Sequence, residues 1–341
     1  MARKPRRRVR ARAWWLLALV AAAAMAIIRG LAPTQTSHPA ARLAAPRTPT
    51  ASPALYRWRR LTWQLPKPLE GLAAAPAASG IAVAGGLSST ATLDEVWVLG
   101  PNGVIHQATL PRPVHDAAAV SVGDTLWVFG GGVSTSENLV QRVPLGSSSA
   151  GPSPSPSLFS MPQALSDLAA VRIGNDAYLI GGHDQGDPLN TVWRYDLSSQ
   201  EARPFAHLPQ GVRYAAAAAG DGRLWVVGGQ TSTGLSRAVW TVDPSTGTVS
   251  SGPPLPSGLE YASAVWFAHA LWVVGGKTAA GWTNQTWVYT PGTAGFQPGP
   301  ALPEPTGYGA AVANGGRLWW IGGVRQDQPS ASLFVLEPVK K

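Results

Sequence analysis

Acids, bases and tyrosines recur in this chain at one fixed place. Four residues after the proline of a recurring apolar-Pro pair, the sequence reads Glu70, His115, Ser166, Arg213, Glu260 and Gly307. One residue later it reads Gly71, Asp116, Asp167, Tyr214, Tyr261 and Tyr308. Carboxylates and histidine are the side chains that move protons near neutral pH, and an arginine fork matches a carboxylate with two hydrogen bonds. Tyrosine adds a donor hydroxyl and a flat apolar face, which suits polar ligands, sugars among them, and peptide segments. A second series follows a recurring glycine doublet: Leu87, Gly132, His183, Gln230, Lys277 and Val324, with Asp184, Gln185, Asp187, Trp282, Arg325 and Asp327 just beyond. The candidate ligand contacts are therefore Glu70, His115, Asp116, Asp167, Arg213, Tyr214, Glu260, Tyr261, Tyr308, His183 and Lys277. The competing account is that these groups cap strand ends and hydrate a channel.

Other chemistry finds less support. The chain has no cysteine, so it has no disulfide, no thiolate metal site and no cysteine nucleophile. Its histidines, at 38, 106, 115, 183, 207 and 269, show no paired ligand spacing. Asp184-Gln185-Gly186-Asp187 lacks the glutamate that completes a calcium loop twelve residues from its start. Serine-nucleophile motifs are absent, and Asn284-Gln285-Thr286 is a short glycosylation triplet that carries little information. No metal or cofactor is expected, and no residue is assigned a catalytic role.

The elements that must position the candidates are repeats. An apolar run ends in Gly-Gly six times, at Gly85, Gly130, Gly181, Gly228, Gly275 and Gly322, spaced by 45 (130−85), 51 (181−130) and then 47 three times. A period of this size marks a repeat architecture. Leu65-Pro66, Leu110-Pro111, Met161-Pro162, Leu208-Pro209, Leu255-Pro256 and Leu302-Pro303 precede the doublets at a constant Pro-to-Gly distance of 19 (85−66, and likewise in the others). Aromatics stand twelve after the first glycine (Trp97, Trp193, Trp240, Trp287, Phe334; Arg142 breaks the register). Others stand three before it (Trp127, Tyr178, Trp225, Trp272, Trp319; Ala82 is the exception). Their constancy reads as packing between sheets, not as a stacking platform for ligand.

Within the unit around Gly228, Tyr214–Ala219 reads as a narrow first strand, Gly220-Asp221-Gly222 as a tight turn and Leu224–Val227 as a buried second strand. Ala238–Val242 alternates as a third strand, Asp243–Thr248 turns, and Thr248–Ser251 suits an outer fourth strand. Four strands make one propeller blade. The Leu-Pro lead-in, the Leu-Trp-Val-Val-Gly-Gly core and the Val-Trp-x-x-Asp third strand resemble kelch repeats, from about Leu61 to Pro338. The resemblance implies an all-β, six-bladed β-propeller over 61–341, although the arginine common before the first kelch strand is matched clearly only by Arg213. The last unit lacks a fourth strand, so Leu61-Thr62-Trp63-Gln64 is expected to complete it and remove an open edge. In this topology the Leu-Pro turns and post-doublet loops share one face, and because sites on repeat scaffolds collect on the loop face it is the expected binding face. Galactose oxidase has kelch-type blades, but its copper chemistry needs a cysteine that this chain lacks. Sialic acid mutarotases are exported six-bladed kelch proteins, and Arg213, Glu260 and His115 are the groups that would serve such an enzyme here. The expected function is a binding or interaction module for an unknown protein or carbohydrate ligand, with a mutarotase-type carbohydrate-active enzyme as the alternative.

Charge divides the chain. Residues 1–60 hold 13 Lys/Arg and no Asp or Glu, which leaves 14 basic (27−13) against 18 acidic residues, a net of −4, for the remainder. The basic excess thus belongs to the leader, and no nucleic-acid partner is expected for a mildly acidic domain. Seven basic residues in 1–12 precede the apolar run Ala13–Ile28. At ~1.5 Å per residue the run reaches about 24 Å, slightly short of a hydrocarbon core. It is expected to be one apolar helix acting as an uncleaved anchor, with the domain outside the cytoplasm. A signal peptide cleaved after Ala24-Met25-Ala26 is the alternative. Residues 29–60 read as a Pro/Ala/Thr-rich linker, and Gly146–Ser157 as a Ser/Pro-rich surface loop. A large propeller without staples is expected to be a monomer.

Overall fold

The computed structural model describes residues 53–146 and 155–339. Six four-stranded antiparallel sheets follow one another along the chain. Blade 1 is Ala73–Ala77, Gly80–Ala84, Glu95–Gly100 and Gly103–Thr109; blade 2 is Ala118–Val122, Thr125–Phe129, Glu137–Pro144 and Ser157–Leu165. Blade 3 runs from Ala169 to His207, blade 4 from Ala216 to Ser251 and blade 5 from Ser263 to Pro298. Blade 6 combines Ala310–Asn314, Arg317–Ile321 and Leu333–Pro338 with the N-terminal strand Tyr56–Arg60. The innermost strands touch their neighbours in a closed circle, blade 6 against blade 1. The fold is the expected six-bladed propeller.

The glycine doublets join the blades. The second glycine of each donates its N–H to the carbonyl three residues after the next unit's proline. These bonds run Gly86 to Val114 (2.8 Å), Gly131 to Leu165 (2.7 Å), Gly182 to Val212, Gly229 to Leu259 and Gly276 to Thr306 (each 2.8 Å), and Gly323 closes the circle on Leu69 (2.8 Å). Glycine is required: Gly228 sits at φ 65°, and a Cβ there would run into the Leu259 carbonyl.

Six hydrophobic clusters lie between adjacent blades instead of one central core. The aromatic three before each doublet faces the following blade, and the aromatic twelve after it faces the preceding one, as the packing reading required. Both sequence exceptions fall on the same seam. Between blades 1 and 2 the cluster is wholly aliphatic (Ala82, Val98, Leu126 and their neighbours). Arg142 does not occupy the missing aromatic's slot. Phe129 pairs with Val140, eleven residues on, where Val227 pairs with Val239, twelve on. The shorter connection puts Gln141 opposite Val128, as Trp240 is opposite Val226. Gln141 is 1% exposed and accepts a hydrogen bond from the Arg112 backbone N–H (2.9 Å). Arg142 turns to the other face, over Trp127.

The closing strand differs from the expected one. Tyr56–Arg60, not Leu61–Gln64, pairs with Leu333–Pro338, from Tyr56 opposite Pro338 to Arg60 opposite Phe334. Trp58 is the one buried side chain of this strand, and its indole N–H donates to Thr286 Oγ1 (3.2 Å). Arg57 and Arg59 lie beside Glu337, and Arg60 beside Glu304 (2.6 Å). Leu61–Gln64 leads out of the strand, with Leu61 and Trp63 packed on the seam between blades 6 and 1. The propeller therefore starts within the segment read as linker. The boundaries of other strands move by a residue or two, so that Tyr214 and Tyr308, read as strand starts, sit in the turns before Ala216–Gly220 and Ala310–Asn314. The expected tail, apolar helix and linker up to residue 52 lie outside the described residues, as do residues 147–154 of the Ser/Pro-rich loop. Among the described residues no helix is long and apolar enough to cross a membrane.

Candidate functional site

The fifth positions after each proline form a ring around the axis. Asp116 N–H donates to the Gly71 carbonyl (3.0 Å), Asp167 to Asp116 (3.0 Å), Tyr214 to Asp167 (2.9 Å), Tyr261 to Tyr214 (3.2 Å), Tyr308 to Tyr261 (2.8 Å) and Gly71 to Tyr308 (2.9 Å). Each ring residue has a left-handed backbone, with φ from 52° at Tyr214 to 59° at Tyr308. That conformation costs an L-residue about 1–2 kcal/mol, and the closed hydrogen-bond circle holds it. The fourth positions lie just outside. Glu70, His115, Ser166, Arg213, Glu260 and Gly307 each bridge to the residue after their own blade's doublet, including His183 opposite Ser166 and Lys277 opposite Glu260. The topology therefore brings the Leu-Pro turns and the post-doublet loops to one face, as expected.

The ring side chains are linked as well. Tyr308 donates its hydroxyl to Asp116 Oδ1, crossing over Gly71. A Cβ at Gly71 would stand 2.9 Å from that oxygen and 3.2 Å from Tyr308 Cζ, so the glycine is what lets the tyrosine pass. Asp167 lies close enough to Asp116 to feel its charge. Tyr214, Tyr261 and Tyr308 pack ring on ring, with centroids 4.1 and 4.6 Å apart along the series.

Burial and contact set the protonation of this group. Burial pushes Asp116 up to about 6, with a further push from Glu70, while the Tyr308 hydroxyl and Arg213 oppose the rise. Burial and the neighbouring Asp116 charge push Asp167 up to about 6, opposed by Tyr214, Arg213 and His183. Burial also raises Tyr214 and Tyr308 far above the phenolic range, and takes Tyr261 up to about 12. Neighbouring carboxyls whose charges raise one another titrate as one system.

A 240 Å³ cavity opens off the acid side of the ring, lined by His115, Asp116, Ser136, Asp167, His183 and Arg213 among others. His115 Nδ1 meets Thr92 Oγ1 (2.9 Å), and its Nε2 lies 3.6 Å from Asp116 Oδ2. Burial holds this imidazole below its ordinary value, against the pull of Asp167. Arg213 donates through Nε to Gln230 Oε1 (2.7 Å) and stacks over Tyr214. Its Nη1 stops 3.8 Å from Asp167 Oδ2, and among the described residues neither Nη has a partner at hydrogen-bonding distance. The arrangement offers a cavity-facing cation, two carboxyls that burial pushes up and several hydroxyls.

The other candidates fall elsewhere on the same face. Glu260 is buried with Oε2 unpartnered, and burial raises its carboxyl against Lys277 and Arg213. Burial likewise raises Glu70. Lys277 lies over Trp282, whose indole N–H donates to Asp327 Oδ1 (2.7 Å). Sequence reasoning overlooked Thr92, Ser134, Thr135 and Ser136, which reach the site from irregular loops with no fixed register. Below the ring the axis widens into a 510 Å³ chamber walled by the alanine-rich innermost strands. Among the described residues no group of three His, Cys, Asp or Glu side chains is arranged to hold a metal ion.

Comparison with known proteins follows this architecture. The KLHDC2/KLHL20/DRC7 kelch-repeats domain matches residues 103–251. The solved structure of YjhT is similar with a TM-score of 0.65 at 17% identity, covering 81% of this chain and 97% of that one, a likeness of fold. No curated protein matches the sequence. Six blades of four strands with a Gly-Gly joint in every blade make the described residues a six-bladed β-propeller, and a kelch-repeats model matches its stretch 103–251.

Proposed function

We propose that the protein is a binding module that holds a polar ligand, or a polar segment of a partner, at the cavity beside the axial ring. The observation that carries this reading is the Arg213 guanidinium, which faces the cavity half-exposed, with Nη1 held only by a loose 3.8 Å ion pair to Asp167 and no hydrogen bond to either Nη among the described residues. A guanidinium fork so loosely engaged in a polar cavity is a place for a ligand acceptor. The charge pattern of residues 1–28 supports membrane tethering with the propeller outside the cytoplasm. The test is a panel of neutral sugars, sugar acids and short peptides titrated into the full chain by calorimetry. A ligand is expected whose affinity falls at least ~30-fold in Arg213→Ala, the loss of a charge-assisted contact of about 2 kcal/mol. It should be unchanged in Arg172→Ala, at the chamber end of the axis. Binding that ignores Arg213 would overturn the assignment.

A second reading, a carbohydrate-active enzyme of the mutarotase type, is favoured by one observation. His115, Asp116 and Asp167 line the same cavity as Arg213. Sugar anomerisation followed by NMR would support it if turnover vanished in Asp167→Asn while ligand still bound. No acceleration over solvent with any panel sugar would leave binding as the function.

A further inference from the structure

The chamber on the far side of the ring has a chemistry of its own. Its wall is built in layers by the six innermost strands. The third residue after each ring position is alanine in every blade: Ala74, Ala119, Ala170, Ala217, Ala264 and Ala311. The next layer is alanine or valine throughout. Short side chains on every side leave 510 Å³ open, within the range of about 300–1,000 Å³ usual for small-molecule sites. One layer further the repeat gives way to individual residues, with Arg172 in blade 3 and Trp266 in blade 5.

These two side chains give the chamber an aromatic wall and a charge. Trp266 lies against Gly220, where a Cβ would come within 2.0 Å of its ring, so glycine there is what admits the indole. Trp225 stacks on the same ring, with centroids 6.2 Å apart and planes at 20°, and is itself tied by its N–H to the Gly220 carbonyl (3.0 Å). The wall is therefore set before any ligand arrives. Arg172 is exposed and marks the solvent end of the chamber. Among the described residues it is the one charged side chain of the lining. It donates to the Gly174 carbonyl of its own turn, and no carboxylate pairs with it. Ser121, the one hydroxyl of the lining, already donates to the Pro76 carbonyl.

We propose that the chamber is a second binding site, for a compact organic acid whose apolar body packs between the alanine layers and Trp266 and whose anionic head meets Arg172 at the mouth. Apolar walls hold such a body by removing its surface from water, and a lone guanidinium beside them fixes one charged end. A neutral apolar guest leaves that cation unused, and a sugar brings hydroxyls that these side chains do not bond. The site lies across the ring from Arg213 and takes a different class of ligand.

The test titrates the naphthalenesulfonate anion and its neutral counterpart naphthalenemethanol into the full chain by calorimetry. The acid is expected to bind at one site per chain and the alcohol at least ~10-fold more weakly, the worth of a charge-assisted contact. Arg172→Ala should weaken the acid by the same factor and leave the alcohol as it was. Arg223→Ala, an exposed arginine at the same end of blade 4 but outside the chamber, should change neither.

Ala217→Leu and Ala119→Leu each put a branched side chain into the alanine layer and should abolish binding of both probes, with far-UV circular dichroism as the check on folding. If neither leucine variant folds, the Arg172 comparison decides alone. No binding of the acid, binding that survives a folded leucine variant, or an affinity indifferent to Arg172 overturns the proposal. Arg213 takes no part in the chamber, so such a result leaves the reading of the ring cavity standing.

Discussion

The two halves of the axial ring share a backbone and differ in chemistry. Asp116 and Asp167 stand at φ 57° and 58°; Tyr214, Tyr261 and Tyr308 stand at 52°, 55° and 59°, and every one passes the same N–H to the same carbonyl. Yet the acid half carries two carboxyls that burial pushes up and opens onto a polar cavity, while the tyrosine half is a packed aromatic wall. The repeat supplies the position and the side chain supplies the role. The halves meet at two joints, Asp167 with Tyr214 and Tyr308 with Asp116, and the second exists because the sixth position is glycine.

The largest expected effect breaks the ring itself. Deleting Tyr56–Arg60 strips the outer strand of blade 6, exposes the Leu333–Pro338 edge and frees the joint between Tyr308 and Gly71. The chain should lose its cooperative unfolding transition and aggregate, as read by calorimetry and light scattering. A monomer with an unchanged melting temperature would refute the closure.

Gly71→Ala is next. It puts a Cβ at φ 56° against Asp116 Oδ1 and drives Tyr308 off its acceptor. The left-handed backbone costs about 1–2 kcal/mol and the lost hydrogen bond about 1 kcal/mol, so denaturant unfolding should show a loss of about 2–3 kcal/mol. Alanine tolerated without loss would mean the two halves are not joined at this point.

The acid half alone should make stability depend on pH. Its folded-state values, about 6, exceed the unfolded value of 3.8, so folding binds protons and the associated stability is complete below pH 4. It declines as pH rises through 6 and is flat above. For the coupled pair the loss should be on the order of 2–3 kcal/mol. Unfolding curves at pH 4.5 and 7.5, compared between wild type and Asp116→Asn/Asp167→Asn, isolate this contribution. Equal slopes in the two proteins would refute it.

The smallest effect sharpens the contrast within the tyrosines. Tyr308→Phe removes the donor that lowers Asp116, so its carboxyl should titrate higher, with a stability cost of about 1 kcal/mol. Tyr261→Phe should leave Asp116 where it is, since Tyr261 does not set that carboxyl's value. Carboxyl ¹³C titration distinguishes the two variants.

The ring's positions were legible in the sequence, but its bonding was not. A constant Pro-to-Gly distance places six residues in one register, and the doublets reveal the blades, because both recur. Tyr308 and Asp116 are 192 residues apart, and nothing local connects them. The cue was Gly71, the one ring position without a side chain, and it acquires meaning only once the circle is closed. The closing strand escaped notice because in Tyr-Arg-Trp-Arg-Arg the alternation is only two residues deep, Tyr56 and Trp58, and is outweighed by three arginines. At Arg142 a constant count misled, since a connection one residue shorter hands the slot to Gln141.

The aliphatic seam between the first two blades has a mechanical consequence. The pairing of Tyr56–Arg60 with Leu333–Pro338, which joins segments far apart in the chain, is fastened by a tryptophan, by ion pairs and by a full strand of hydrogen bonds. The seam between blades 1 and 2, with Ala82 and Gln141 where other seams carry rings, offers less dispersion contact to resist shear. Under load or heat, separation is expected to begin beside Gln141 while the closing strand stays in place.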